Sequence, residues 1–316
     1  MMKRIAGLMM CLVMVIGCLS GCGGKTDEAL LSGSVKTLNE AKNYDVTSKT
    51  TGKMKVAIGG MSQDVDISSD VKGTQFAEPF KAKMTANTTT AGTTITMETY
   101  MAKENDKYAI YMKVNNEWSK MSLGDLEQAM AASGMSSLQE QLSEDTSKYV
   151  KKDDIEEKDK KYLVYDYTVS GDEIKNMMKN VTSSMGSILG AGQGSIDTEK
   201  LLNDMVKDIG DITMTILIDR DSETIYQVRY SMAEMMNKMM DSLMKSVAEI
   251  AKEEAKKNKD AGVGEEDLDQ TFSSMKIEVD SMDMVISYSN IGSAADFEIP
   301  KEALEAEEIS LDDTAA

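Results

Sequence analysis

Between Met54 and Met121 the chain alternates apolar and polar positions with a period of two, the spacing that sends successive side chains to opposite faces of a strand. Met54, Val56 and Ile58 alternate with Lys53, Lys55 and Ala57, and Val65, Ile67 and Val71 alternate with Asp64, Asp66 and Asp70. The period continues through Phe80, Ala82, Met84 and Ala86, then Ile95, Met97, Thr99 and Met101, then Tyr108, Ile110, Met112 and Val114, and ends at Trp118 and Met121. Gly59-Gly60 and Asn115-Asn116 are residue types that accept positive φ and so make hairpin turns. Six short strands in one antiparallel meander are predicted, apolar on one face and Lys/Asp/Thr on the other.

Elsewhere the apolar spacing lengthens to 3.6 residues. Leu30, Leu31, Val35, Leu38 and Ala41 predict a leading helix, and Leu123 to Leu142 a pair of short helices broken at Ser133-Gly134. Ile174, Met177, Met178, Val181, Met185, Ile188 and Leu189 form a third pattern, opened by Asp172 and Glu173, whose charge suits a helix start. Leu201, Leu202, Met205, Val206 and Ile209 form a fourth, and Met235 to Ala255 the longest. Hairpins are expected between Tyr149–Lys152 and Tyr162–Val169, and between Ile212–Ile218 and Ile225–Met232. Met275–Val279 and Met282–Tyr288 return to strand, and Phe297-Glu298-Ile299-Pro300 closes the fold as a final strand. The order fits one antiparallel sheet covered by helices inserted between its strands, an α+β fold, better than separate α and β domains.

The amino terminus adds a location. Lys3 and Arg4 precede a nearly unbroken apolar stretch from Ile5 to Leu19, followed by Ser20 and Gly21, the pattern of a secretory signal spanning residues 1–21. The apolar run is shorter than the roughly 20 residues a spanning helix needs. Leu19-Ser20-Gly21-Cys22 resembles the lipobox of bacterial lipoproteins, which implies a diacylglyceryl group on Cys22 and a lipid-anchored chain on the extracytoplasmic face of the cell membrane. Residues 22–33 read as a tether, and the Lys/Glu-rich segment near 252–271 as a flexible charged insertion. Residues 304–316 read as a frayed acidic tail.

Composition then removes whole classes of chemistry. The chain has 316 residues and no His, which excludes Ser/His and Cys/His nucleophile pairs and His-ligated zinc. Its three Cys, at 11, 18 and 22, all lie by the signal, so the body holds no disulfide or thiolate site. Loss of Lys3 and Arg4 with the signal leaves 33 basic against 54 acidic residues, a net charge of −21. Only Arg220 and Arg229 remain as arginines, and nucleic acid is a poor partner. Gly23-Gly24-Lys25-Thr26 lacks the earlier glycine of a phosphate loop, and Gly190–Gly194 follows a helix where a dinucleotide fingerprint follows a strand. Asp219–Glu223 begins like a calcium loop but has Thr224 at the sixth position and Tyr230 at the twelfth, so a hairpin turn is expected. No cofactor, no metal and no catalytic residue is expected, and the chain does not read as an enzyme.

Methionine is the informative excess, 28 in all and 23 after the signal. Met232, Met235, Met236, Met239, Met240, Leu243, Met244 and Val247 form a strictly helical stripe. Three readings compete for it: core packing by an unbranched side chain, an adaptable apolar groove, and soft-metal binding by thioethers. The groove reading takes Met177, Met178, Val181, Met235, Met236, Met239 and Met240 as its apolar lining.

A lipobox, a leading helix, a meander of amphipathic strands, inserted covering helices and a closing Phe-Glu-Ile-Pro together resemble the LolA-like superfamily. That superfamily includes the mycobacterial glycolipid-carrying lipoproteins, and the likeness is greatest to its Gram-positive lipoprotein branch. The resemblance runs over roughly Leu30 to Ala303 and implies a curved antiparallel half-barrel over residues 34–303, helices on its concave face, and an acyl-bearing ligand between them. Two functions follow: a carrier of a lipid or other apolar ligand, or a structural or interaction module at the cell surface with a fully packed core. The absence of Arg from the first half of the mature chain departs from the lipoprotein carrier itself and speaks against lipoprotein trafficking.

Overall fold

The computed structural model describes residues 25–104, 107–123, 142–143, 145–157, 159–176, 204, 207–257, 268 and 271–308. Twelve strands join in one antiparallel sheet: β1 (Asn43–Ile58), β2 (Met61–Ala77), β3 (Phe80–Thr90), β4 (Thr93–Glu104), β5 (Lys107–Val114), β6 (Glu117–Leu123), β7 (Tyr149–Lys151), β8 (Ile155–Glu157), β9 (Lys160–Val169), β10 (Ile212–Asp219), β11 (Thr224–Ser231) and β12 (Lys276–Ser289). The order is β6-β5-β4-β3-β2-β1-β12-β11-β10-β9-β7, with β8 also paired to β9. The two ends do not meet, so the sheet is an open half-barrel. Helices accompany it, among them α1 (Asp27–Asn39), α2 (Ala233–Lys257) and the single turn α3 (Lys301–Leu304).

The meander forms as β1–β6, but its strands are longer than the apolar alternation indicated. β1 has 16 residues and β2 has 17. The added length comes from stretches such as Thr47–Thr51 and Ser68–Asp70, whose polar side chains give no alternation signal while their backbones still pair in register. The turns use the residues expected: Gly59 and Gly60 have φ of 59 and 83°, Asn115 and Asn116 of 51 and 70°.

Two rungs of the register define the faces. Met112, Thr99, Met84, Gly73, Val46 and Tyr288 stand side by side across β5-β4-β3-β2-β1-β12 and mark the inner face. The next rung, Tyr111, Tyr100, Lys83, Thr74, Asp45 and Ser289, marks the outer face. The principal core lies on the inner face of β9–β12 and β1, where Tyr165, Ile216, Val228 and Ile286 meet Leu30, Leu31, Val35 and Leu38 of α1. A smaller core lies on the outer face, where Tyr100, Ala109 and Tyr111 meet Ala303, Phe297 and Ile299.

Several boundaries differ from the sequence expectation. Residues 27–33, assigned to the tether, are the first turns of α1, because the Thr26 hydroxyl accepts the Ala29 N–H at 3.2 Å and Asp27 and Glu28 favour the helix start. Met275–Val279 and Met282–Tyr288 are one strand, β12, carrying a bulge: Lys53 faces Ser281 and Met54 faces Val279, which leaves Asp280 unopposed. Residues 252–257 belong to α2, so the charged insertion begins later than expected.

Phe297–Pro300 is a strap, not a strand. After β12 the chain binds Asn43 through the N–H groups of Gly292 (2.7 Å) and Ala294 (2.8 Å), then lays Phe297 against Phe76 and Tyr100 with ring centroids 5.9 Å apart in each pair. The Lys81 ammonium sits over the rings of Phe76 and Phe297, 5.1 and 4.9 Å from their centroids. Beyond α3, whose Ala303 is fully buried, the Lys120 N–H donates to the Glu307 carbonyl at 3.1 Å on the edge of β6. The acidic end is therefore docked as far as Glu308.

Candidate functional site

The inner face collects the methionines that the period-two pattern had aligned. Met54, Met84, Met97, Met101, Met112, Met121, Met214, Met282 and Met284 all fall on it by register. From β5 to β10 its one charged side chain among the described residues is Lys103, exposed at the margin. Met101 and Met214 are buried, whereas Met54, Met84, Met97, Met112 and Met121 are half-buried. Met282 crosses over Gly52, where a Cβ would lie 2.8 Å from its sulfur, so the absent side chain makes room for the thioether. Apolar exposure occurs at hairpin tips on this same face, at Ile58, Met61, Ile95 and Val114.

Not every inner position is apolar. Ser48, Thr50, Ser69 and Thr88 form a half-buried band of hydroxyls between Val46 and the tips, with Ser69 and Thr88 hydrogen-bonded at 3.0 Å. Below that band stands Thr99, between Met84 and Met112. It is 1% exposed, and its Oγ1 is the one buried side-chain polar atom among the described residues without a hydrogen-bond partner.

The α1-covered half differs in character. Eight of the eleven tyrosines are buried, and five of these, Tyr44, Tyr149, Tyr165, Tyr167 and Tyr288, belong to the principal core. Tyr149 stacks on Tyr167 at 4.8 Å and Tyr44 meets Tyr288 edge-on at 5.8 Å. Burial pushes the phenols of Tyr288 and Tyr149 above their ordinary range and that of Tyr230 up to about 12. These rings stay neutral at any physiological pH, so the core beneath α1 carries no charge from them.

Of the residues expected to line a groove, Met177, Met178 and Val181 lie outside the described residues. The other four are on α2 and separate into two pairs. Met235 and Met239 pack against the principal core, while Met236 and Met240 are half-buried beside them and join neither core. What fixes the helix is polar. Beyond Ser231, β11 no longer covers β12, and Asn237 takes its place: its Nδ2 donates to the Val279 carbonyl at 2.9 Å and its Oδ1 accepts the Val279 N–H at 2.7 Å. Val279 is 2% exposed, so both backbone groups depend on that amide. No spacing rule marks Asn237, because its partner is 42 residues away.

The end of the sheet near Lys25 is equally defined. Lys25 pairs with Glu223, and Arg220 reaches Asp27 (3.1 Å) and Asp154 (2.7 Å), which clamps the start of α1 to the β10–β11 turn. That turn is closed by Asp219, whose carboxylate accepts the N–H groups of Asp221 (2.8 Å) and Ser222 (3.3 Å) and binds Lys160 at 2.7 Å, a hairpin turn and not a calcium loop. Arg229 is held by Glu157 through two hydrogen bonds, at 2.8 and 3.0 Å. Both arginines of the body are thus paired on the protein. β1 runs away from the clamp for about 50 Å, which places the β1–β2 tip at the far end of the sheet from Lys25.

The DUF6612 family model matches residues 26–259. The chain belongs to that family, which is described as a family of unknown function. The matched span takes in α1, β1–β11 and α2, and stops before the central strand β12. The DUF6612 chain also resembles solved structures. The lipoprotein LppX of Mycobacterium tuberculosis is 12% identical with a TM-score of 0.38, over 86% of this chain and 100% of that one. LprF of Mycobacterium bovis is 12% identical with a TM-score of 0.37, over 87% and 96%. A DUF1329 family protein of Desulfovibrio piger is 9% identical with a TM-score of 0.20, over 82% and 89%. No residue of the DUF6612 site is assigned from these likenesses. No curated protein matches the chain.

Proposed function

We propose that this protein is an extracytoplasmic lipoprotein, anchored in the cell membrane through Cys22, that binds a lipid or other apolar ligand without covalent chemistry. The observation that supports this reading is the inner face itself: nearly uncharged, methionine-rich, half-buried over β3–β6 and part of a sheet whose two ends do not pair. An acyl chain laid there gains about 0.8 kcal/mol for each methylene removed from water, and unbranched thioethers re-pack around chains of different length. Binding needs no nucleophile or metal, and the protein is proposed to be non-enzymatic. Among the described residues no helix is long and apolar enough to cross a membrane, and the acyl group supplies the attachment.

The competing reading, a packed structural module, is favoured by Met235 and Met239, which are half-buried and pack against the principal core. Native mass spectrometry of the full chain carrying Cys22→Ser, purified without detergent, separates the two. A co-purified lipid mass supports the carrier. No lipid mass, together with no uptake of a fluorescent fatty acid, supports the module. Mass spectrometry of the membrane fraction tests the anchor, since an unmodified Cys22 there would refute it.

A further inference from the structure

Thr99 is a hydroxyl where the alternation calls for an apolar side chain. It stands at an inner position of β4 between Met97 and Met101, flanked across the sheet by Met84 and Met112. A hydroxyl taken out of water without a partner is destabilising, and Val would fit the same volume, yet this one is 1% exposed and unpaired. On the same strand Ile95 is exposed at the hairpin tip, about 13 Å from Thr99, and the half-buried Met97 lies between them. Alongside that path runs the hydroxyl band of Ser48, Thr50, Ser69 and Thr88. The inner face therefore grades from an exposed tip through hydroxyls to a buried unpaired donor among methionines. That order matches an amphiphile, with its polar group toward the tip and its tail among the thioethers.

We propose that Thr99 donates a hydrogen bond to the carbonyl oxygen of an acyl ester or carboxyl group, so that the ligand is an acyl lipid and not a plain hydrocarbon. This rests on the carrier reading and narrows its ligand class. The head group lies over the hydroxyl band, toward the β1–β2 and β3–β4 hairpin tips, and the carbonyl marks the depth at which the tail begins.

The test uses the full-length Cys22→Ser chain, stripped of bound lipid, and competition of methyl dodecanoate and tridecane against a fluorescent fatty acid. The two competitors differ chiefly in the ester. The Thr99 background is expected to favour the ester about two- to tenfold, the range for one hydrogen bond. Thr99→Val is expected to abolish that preference with tridecane binding unchanged, and Thr99→Ser to restore it. Ligand-free Thr99→Val should also melt at a higher temperature, because it removes an unpaired buried hydroxyl. Retention of the ester preference by Thr99→Val, or a lower melting temperature, overturns the assignment of Thr99 and leaves the carrier reading standing. Failure of either competitor to bind any variant, with no uptake of the fluorescent fatty acid, overturns both.

Discussion

Replacing Asn237 by Ala removes the amide that satisfies both backbone groups of Val279. A buried N–H or C=O left without a partner costs about 1–3 kcal/mol, so two such groups set a gross loss of about 2–6 kcal/mol. Two effects reduce it. Asn237 is itself half-buried, so water reaches part of the vacated space, and Ala is the better helix former by roughly half a kcal/mol. The expected net destabilisation is about 2–3 kcal/mol, read by urea denaturation with an unchanged m value. Lys238→Ala serves as the control, because it removes a pair with the exposed Glu234 and should stay within about 0.5 kcal/mol of the parent. Amide exchange adds a local readout: the Val279 N–H should lose protection ahead of amides in β10. An Asn237→Ala variant as stable as the Lys238 control, with Val279 still protected, would show that the helix is held by its methionines and not by this contact.

Three further outcomes follow from other contacts. Gly171→Ala would drive a Cβ into the Ile209 carbonyl oxygen, a backbone atom that has to move, and should cost at least about 2 kcal/mol by thermal unfolding. Phe297→Ala removes the rings' edge contacts with Phe76 and Tyr100 and the cation contact of Lys81; it should cost about 2–3 kcal/mol and speed proteolysis of residues 290–308, with cleavage in α1 unaffected. Burial works against the charge of Asp219, but Lys160 and two backbone N–H groups outweigh it and hold its carboxyl below the usual range. Its contribution is therefore present above about pH 4 and lost as pH falls through the native value, so Asp219→Asn should flatten the acid limb of the stability curve, and an unchanged limb would refute the role.

How much of this was legible in the sequence depends on the range of the force involved. Period two placed Met84, Met97, Met101 and Met112 on one face, because burial of a sheet face is written into alternate residues. Thr99 was visible there as an apolar position filled by a hydroxyl, although its lack of a partner was not. The bulge at Asp280 hid the unity of β12, since one inserted residue inverts the parity on which the signal rests. Phe297 and Ile299 have strand spacing, but an extended strap and a strand share that spacing and differ only in whether their backbones pair. The tyrosine layer, Asn237 and the ion pairs at α1 join residues far apart in the chain, and no local pattern encodes them. Of the α2 methionines, Met235 and Met239 pack against the principal core and Met236 and Met240 do not, because a helical stripe wide enough for four methionines meets two different surroundings.

The position of β12 constrains when the molecule can become whole. It lies between β1 and β11 and is the strand that joins the β1–β6 meander to the β7–β11 unit, yet among the described residues it is the last strand in sequence. A chain emerging from its amino terminus can complete the β1–β6 meander and the β10–β11 hairpin locally, by pairings of low contact order, whereas β9 and β10 pair across about 40 intervening residues. The halves can share a sheet only after residue 289 has emerged, and until then β1 and β11 each present an unpaired edge. Assembly is therefore a late, long-range docking event, and the interval before it is when the two edges are open to pairing with other chains.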